Sequence, residues 1–176
     1  MPDATPGAAP GDWRADRIGA AERGENPMVI ARMRSGFAVI GDTQFLPGYC
    51  LLLAAPQVVS LEDLSAADRT VFLDDMGRLG AAVNTACAPR RINYSIYGNT
   101  DAFLHAHVFP RYAWEPVERI PGPVWLYARE NWSDPAHAYD EARHGELRAM
   151  ISGALMRIVA ADRFSAAGAP RPASPY

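Results

Sequence analysis

Two of the chain's four histidines, His105 and His107, lie two residues apart in the apolar stretch 103–112. Side chains alternate between the two faces of a β-strand, so both imidazoles would share one face with Phe103 and Phe109. A lone buried histidine is commonly a satisfied core residue. Two on one face are harder to accommodate, because each ring nitrogen needs a hydrogen-bond partner. The pair is therefore a candidate reactive site.

Three kinds of chemistry fit this pair. It could supply two zinc ligands, but a catalytic zinc needs a third protein ligand, for which a carboxylate could serve. The remaining histidines, His137 and His144, have no evident relation to the pair. Either member could act as a general acid or base. A neutral imidazole can also attack phosphorus and form a phosphoramidate that water cleaves.

Composition limits the class of protein. The chain has 176 residues, enough for one domain with a proper core, and is 49% hydrophobic and 21% charged. No apolar run approaches the length of a membrane span. A net charge of −3 disfavours a polymeric nucleic acid as partner. The spacing of the two cysteines indicates neither a disulfide framework nor a zinc knuckle, and the N-terminus has no signal-peptide pattern, so we expect a cytoplasmic protein.

The elements that must position the histidines follow from hydrophobic patterning. Residues 1–11 and 166–176 are rich in Pro, Ala and Gly and are expected to be disordered, which leaves a single domain over 12–165. Runs 28–33 and 36–42 predict a hairpin, and 45–54 a third strand entered through Pro47-Gly48. Ser65 and Asp68 then resemble a capping box for an amphipathic helix over about 66–86.

The histidines fall in the second half of a predicted hairpin, with strands at 92–99 and 104–112. The loop that follows contains three tryptophans, Trp114, Trp125 and Trp132, which we expect to be packing anchors. A second helix follows, with Asp140 or Ser133 as its cap and an apolar stripe from Leu147 to Val159. This order of elements predicts an α+β domain with a mainly antiparallel sheet.

At the histidine pair the sequence resembles a known family. The run INYSIYGNTDAFLHAHVFPRY resembles the signature of the histidine triad superfamily, in which a strand carries His-x-His-x-His before two apolar residues and often Pro-Arg. The stretch GFAVIGDTQFLPGYCLLL and the helical segment after it are also similar, so the resemblance covers about residues 27–112. It implies a two-layer α+β fold that binds a nucleoside phosphate and hydrolyses it or transfers the nucleotidyl group, without a cofactor.

The resemblance also implies roles for individual residues. His105 would attack the α-phosphorus and form a nucleotidyl-histidine, and His107 would contact the phosphate and the leaving group. Asn99, or Thr100 beside it, would orient the phosphate or the nucleophile. The implied substrate-binding residues are Val39, Gly41, Asp42, Thr100 and Phe103.

Departures from the family pattern concern three places. Phe103 stands at the first histidine of the triad, where it could wall the phosphate pocket, stack on a base or fill the space of the missing histidine. Tyr49 stands where relatives often have histidine. Gly41 and Asp42 replace the expected ribose-binding Asn, and the carboxylate could accept both ribose hydroxyls.

Three functions stay open on the sequence. The first is a hydrolase or nucleotidyltransferase that cleaves a nucleoside monophosphate from a diadenosine polyphosphate, an adenylylated amine or a nucleotide sugar. The second is a nucleotide sensor without turnover, and the third a zinc hydrolase using His105 and His107. A homodimer through the central helix and a strand is possible, unless the C-terminal segment covers that surface. Arg111 is expected to face away from His105, and Asp74-Asp75 to be solvated.

Overall fold

The computed structural model describes residues 12–168 and contains one five-stranded sheet. Its strands are β1 (Val29–Arg32), β2 (Gly36–Ile40), β3 (Cys50–Ala54), β4 (Arg91–Ile96) and β5 (His105–Arg111). They are arranged in the order β1-β2-β3-β5-β4, and every neighbouring pair is antiparallel. The predicted α+β class with a mainly antiparallel sheet is confirmed.

Four α-helices accompany the sheet in the described part of the chain: α1 (Arg17–Glu22), α2 (Ala66–Cys87), α3 (Arg129–Ser133) and α4 (Glu141–Gly168). Ser65 caps α2 as predicted: its hydroxyl accepts from the Asp68 N–H at 3.1 Å and donates to the Asp68 carboxylate at 2.7 Å. Asp140 caps α4 by accepting from the Arg143 N–H at 3.0 Å. The expected disordered tails lie outside the described residues, apart from positions 166–168 at the end of α4.

The sheet has a different environment on each face. Ala106 and Val108 of β5 are fully buried in the main core, which they share with Phe72 and Leu79 of α2, and α4 packs on α2 and β1. Phe109 lies in a second apolar cluster on the opposite face. The alternation within β5 therefore directs its odd-numbered side chains, the histidines included, away from the helical layer.

The third strand is shorter than the predicted 45–54. It begins at Cys50, because residues 44–49 form a turn held by the buried side chain of Gln44. The Gln44 amide donates to the carbonyls of Gly41 and Tyr49 at 2.8 and 3.0 Å, and its oxygen accepts from the Gly48 N–H at 2.9 Å. Gly48 has φ of +92°, which favours glycine. This turn sets the position of Tyr49.

Two expectations about charged side chains were wrong. The alternation continues past Pro110, so Arg111 lies on the histidine face of the sheet. Its guanidinium donates to Glu115, Asn93 and two loop carbonyls. Arg111 therefore anchors the 113–123 loop and does not reach the histidines. Asp75 is not solvated. It is 1% exposed and accepts from the N–H and hydroxyl of Ser35 at 2.8 and 2.9 Å.

One further element was missed. Helix α1 precedes β1, in a stretch where the sequence showed no clear apolar period. Within residues 12–168, no helix combines the length and apolar character needed to cross a bilayer.

Candidate functional site

The two histidines lie side by side on β5, as strand alternation predicts. They are 6% and 8% exposed, and their ring centroids are 4.8 Å apart at an interplanar angle of 74°. β5 is flanked by β3 and β4, where Leu51 and Ser95 are the register partners of His107. The pair is thus held by a strand paired on both sides, which fixes its backbone.

The ring of His105 is oriented by a local hydrogen bond. Its Nδ1 lies 2.8 Å from the carbonyl oxygen of Phe103. Because a carbonyl oxygen can only accept, Nδ1 must carry the proton. In the neutral ring, Nε2 then holds the free lone pair, and His105 has the tautomer that a nucleophile needs.

The ring of His107 is oriented by Tyr49, whose hydroxyl lies 2.7 Å from Nδ1. Burial raises the pKa of Tyr49 well above its usual value, so the phenol keeps its proton. Burial, with a smaller contribution from His105, lowers the pKa of His107 to about 3, so the imidazole is neutral at pH 7. Among the described residues the phenol has no other acceptor than Nδ1 of His107, so it donates to Nδ1 and Nε2 carries the proton of the ring. The two histidines therefore have opposite tautomers, one with a free lone pair and one with a free donor.

A cavity of about 210 Å³ opens beside the pair. The sequence-predicted residues Val39, Asp42 and Phe103 line it together with both histidines, and most of the other lining side chains are apolar. Phe103 is half-buried, with its ring centroid 5.1 Å from that of His105. The first cavity thus combines a mainly apolar wall with a few charged side chains and the two imidazoles, the composition expected of a small-molecule site.

A second cavity of about 430 Å³ shares both histidines with the first. Asn99 and Thr100 belong to this second cavity and not to the first. Both are exposed, and no hydrogen bond between described residues ties either of them to a histidine. The hairpin therefore brings these two predicted residues near the pair without fixing their side chains.

Gly41 lies under the ring of Tyr49 and does not line either cavity. A Cβ at this position would come 2.3 Å from a carbon of that ring. Its N–H donates to the carbonyl of Tyr49 at 2.8 Å. The missing side chain at Gly41 therefore leaves room for the Tyr49 ring, whose hydroxyl in turn orients His107.

The sequence reasoning missed several residues of the site. Trp125 and Trp132 were expected only to pack, yet both line the first cavity; Trp125 lies edge-on to His107 at 5.0 Å and stacks on Trp132 at 5.0 Å. Of the three loop tryptophans, only Trp114, 62% exposed and stacked on Tyr112, stays apart from the two cavities. Tyr49 was noted only as a departure from the family. Its place next to Pro47-Gly48 was the signal that could have identified it.

The charge of the site comes from three side chains. Arg17 of α1 makes a two-pronged ion pair with Asp42, at 3.2 and 2.5 Å, and Asp101 lines both cavities. Within the described chain, Arg17 is the only Lys or Arg that lines either cavity. The two cavities together carry a net charge of about −1 when both histidines are neutral.

Zinc binding by the pair lacks a third ligand. Residues 12–168 contain no group of three or more His, Cys, Asp or Glu side chains placed to hold a metal ion. Both Nδ1 atoms are hydrogen-bonded, to the Phe103 carbonyl and to the Tyr49 hydroxyl, so the pair could offer a metal ion only its two Nε2 atoms as ligands. The donor set therefore does not fit a catalytic zinc.

Comparison with known proteins shows the fold. No protein-family model and no curated protein matches the sequence. Solved structures of histidine triad proteins do match. One from Sinorhizobium meliloti 1021 is 21% identical, with a TM-score of 0.62 over 81% of this chain and 93% of that one. A hypothetical histidine triad nucleotide-binding protein from Sulfolobus tokodaii strain 7 is 10% identical, with a TM-score of 0.60 over 80% and 91%.

A zinc-bound histidine triad family protein from Mycobacterium smegmatis is 17% identical, with a TM-score of 0.58 over 81% of this chain and 94% of that one. This chain is therefore a protein with the histidine triad fold. The fold agrees with the resemblance found in the sequence.

Proposed function

We propose that the protein is a hydrolase or nucleotidyltransferase that cleaves a nucleoside 5'-monophosphate from a leaving group through a nucleotidyl-His105 intermediate. The observation that carries this proposal is the pair of opposite tautomers. The Phe103 carbonyl supports a free lone pair on His105 Nε2, and the Tyr49 hydroxyl supports a free N–H on His107 Nε2. An attacking atom next to a neutral hydrogen-bond donor is the arrangement that in-line attack on phosphorus requires.

In the proposed first step, the lone pair on His105 Nε2 forms a bond to the α-phosphorus while the bond from phosphorus to the leaving group breaks. The leaving group departs with the electron pair, and an amine takes its proton from water. The modified ring gains positive charge, which the Phe103 carbonyl at Nδ1–H offsets. In the second step, water or an acceptor attacks phosphorus, the P–N bond breaks and a proton is released to solvent.

His107 acts in this scheme as a hydrogen-bond donor and not as an acid. Its neutral ring would have to become an imidazolate to give up the Nε2 proton, and its pKa of about 3 keeps it from being protonated at neutral pH. A fixed donor costs no reorganisation as charge develops on the phosphoryl oxygens.

The charges and rings of the second cavity favour one leaving group among those left open by the sequence. Tyr97 and Trp125, 54% and 38% exposed, face this cavity with ring centroids 5.2 Å apart, and Asp101 adds a negative charge. A polyphosphate would meet no lysine or arginine there within the described chain. An aromatic or cationic group would instead stack on the rings and approach the carboxylate. An adenylylated amine is therefore the preferred substrate class over a diadenosine polyphosphate.

A nucleotide sensor without turnover is the second candidate. It is favoured by Phe103 at the first triad position and by the absence of any fixed contact from Asn99 to the histidines in the described structure. Such a protein would bind the nucleoside monophosphate in the first cavity and would not form an adduct.

The test compares turnover with covalent modification. The protein is incubated with an adenylyl amide of tryptamine and with diadenosine tetraphosphate; AMP is quantified, and mass spectrometry at alkaline pH looks for an adenylylated peptide. We expect both signals in the wild type, neither in His105→Ala, and both in His144→Ala, which alters a histidine outside the cavities. Unchanged turnover in His105→Ala would refute the nucleophile. Binding without product favours the sensor, and loss of turnover on chelation, with zinc in the pure protein, favours a metal enzyme.

A homodimer is also part of the proposal. Strand β4 lies at the edge of the sheet, with Tyr94 44% exposed, and on the adjacent α2 a Cβ at Gly77 would have open space. Helix α4 packs on α2 and on β1, which forms the opposite edge of the sheet. Light scattering should give the mass of a dimer for the wild type and of a monomer for Tyr94→Glu. Met156→Glu, on the exposed side of α4, serves as the control and should remain dimeric.

A further inference from the structure

The Arg17–Asp42 ion pair connects helix α1 to the cavity in which the proposed function seats the nucleoside. The guanidinium meets both carboxylate oxygens, at 3.2 and 2.5 Å, in the fork geometry that fixes a carboxylate most precisely. Helix α1 lies outside the stretch that resembles the histidine triad family. Nothing in that resemblance assigns a role to Arg17.

Arg17 is held in place independently of Asp42. The buried Asn26 side chain donates to the Arg17 carbonyl at 3.0 Å, and its oxygen accepts from the Met28 N–H at 2.9 Å at the entry to β1. The guanidinium carbon lies 5.1 Å from the ring centroid of Trp13. Because the arginine is preorganised by these contacts, it can restrain the carboxylate more than an exposed ion pair normally does.

Asp42 is the less restrained partner. Its side chain is 46% exposed, against 24% for Arg17, and its backbone carbonyl accepts from the Tyr139 N–H at 2.8 Å. Without Arg17, the carboxylate could rotate toward solvent. Loss of Arg17 would also leave Asp42 and Asp101 as two uncompensated negative charges along the cavity that is proposed to bind an anionic nucleotide.

We propose that Arg17 is a positioning residue for sugar recognition: it holds the Asp42 carboxylate toward the cavity and offsets its charge. Each carboxylate oxygen bonded to the guanidinium keeps a second lone pair that can accept from a sugar hydroxyl. The ligand class is a nucleotide with a free ribose hydroxyl. This inference rests on the proposed nucleotide site, but not on turnover.

The experiment measures binding of products, so it does not depend on catalysis. AMP, GMP, CMP and UMP are titrated into the wild type by calorimetry, and the tightest is compared with its 2'-deoxy and 3'-deoxy counterparts. A hydroxyl bonded to a carboxylate predicts a preference for the ribonucleotide of at least about tenfold over one of them. In Arg17→Lys, which keeps the charge and loses the fork, that preference should fall to within about threefold.

Further variants separate positioning from charge and from folding. Arg17→Met should lose the preference and also weaken binding of the ribonucleotide and deoxynucleotides alike, through the uncompensated charge. Asp42→Ala should lose the preference, and adding Arg17→Met to it should change the preference no further. Arg23→Met is the matched control, an exposed arginine paired with Asp16 and Glu25 beyond the end of the same helix, and should behave as the wild type.

The outcomes distinguish the inference from the function. If the wild type binds none of the four nucleotides, the proposed function fails. If it binds them without a ribose preference, or if the preference survives in both Arg17 variants, the inference alone is overturned. A weaker affinity with an unchanged preference would mean that Arg17 acts only through charge, and would also overturn it.

Discussion

Tyr49→Phe removes one hydroxyl and with it the hydrogen bond that orients His107. The phenylalanine ring can keep the stacking of Tyr49 on Phe109, whose centroid lies 4.2 Å away at an interplanar angle of 11°. What is lost is the 2.7 Å bond to Nδ1, and a buried acceptor is left without a partner. Leaving such a group unsatisfied costs about 1–3 kcal/mol, so urea unfolding should show a loss of stability in that range.

The effect on the site should exceed the effect on stability. Without the phenol, the hydrogen bond at Nδ1 that holds the proton on Nε2 is lost, and His107 would offer its Nε2 donor to the phosphate in only part of the molecules. Removing a preorganised donor completely lowers kcat by about 10²–10³. A partial loss should lower kcat for the adenylyl amide by about tenfold, with a smaller change in KM.

Nitrogen-15 NMR of the imidazoles reads the tautomer directly and requires no turnover. We expect a protonated Nε2 on His107 in the wild type and a mixture of tautomers in Tyr49→Phe. Tyr112→Phe is the control, since it removes a hydroxyl bonded to the carbonyl of Pro47 outside the cavities. Unchanged nitrogen shifts of His107 in Tyr49→Phe, together with unchanged kcat, would refute the reasoning about tautomers.

Three further predictions concern stability and substrate choice. Below about pH 6.5 the unfolded chain protonates His107, whereas the folded protein keeps it neutral down to about pH 3. The free energy of unfolding should therefore decrease as the pH is lowered, by up to about 1.4 kcal/mol per pH unit. Urea unfolding at pH 7, 6 and 5 should show that His107→Gln removes this contribution. Asp75→Ala should cost about 2–4 kcal/mol because it strands the Ser35 donors, while Asp74→Ala, at an exposed neighbour, should change the unfolding free energy by less than about 1 kcal/mol; equal losses would contradict this. Trp125→Ala should raise KM at least about threefold more for an adenylyl amide of tryptamine than for one of methylamine. An equal rise in KM for both substrates would mean that the leaving group does not stack on Trp125.

Much of the fold could be predicted because its signals are local. The N-cap at Ser65 and the periodicity after it define α2 within a residue, and the two histidines share a face because alternation is a property of every strand. The extent of β3 could not be predicted, since the Gln44 side chain takes the hydrogen bonds of the preceding turn. Side-chain bonds to the backbone compete with a sheet in ways that apolar runs do not reveal.

The sequence by itself determined which two residues could do chemistry on phosphorus and that they stand together. Only the tertiary structure decided the state of each ring and which side chains surround the proposed sugar and leaving-group sites. The reason is separation along the chain. Tyr49 reaches His107 across 58 positions and Arg17 reaches Asp42 across 25, and no local pattern links such partners. Burial within the fold, which adjacent residues do not set, then keeps His107 neutral and makes it a donor.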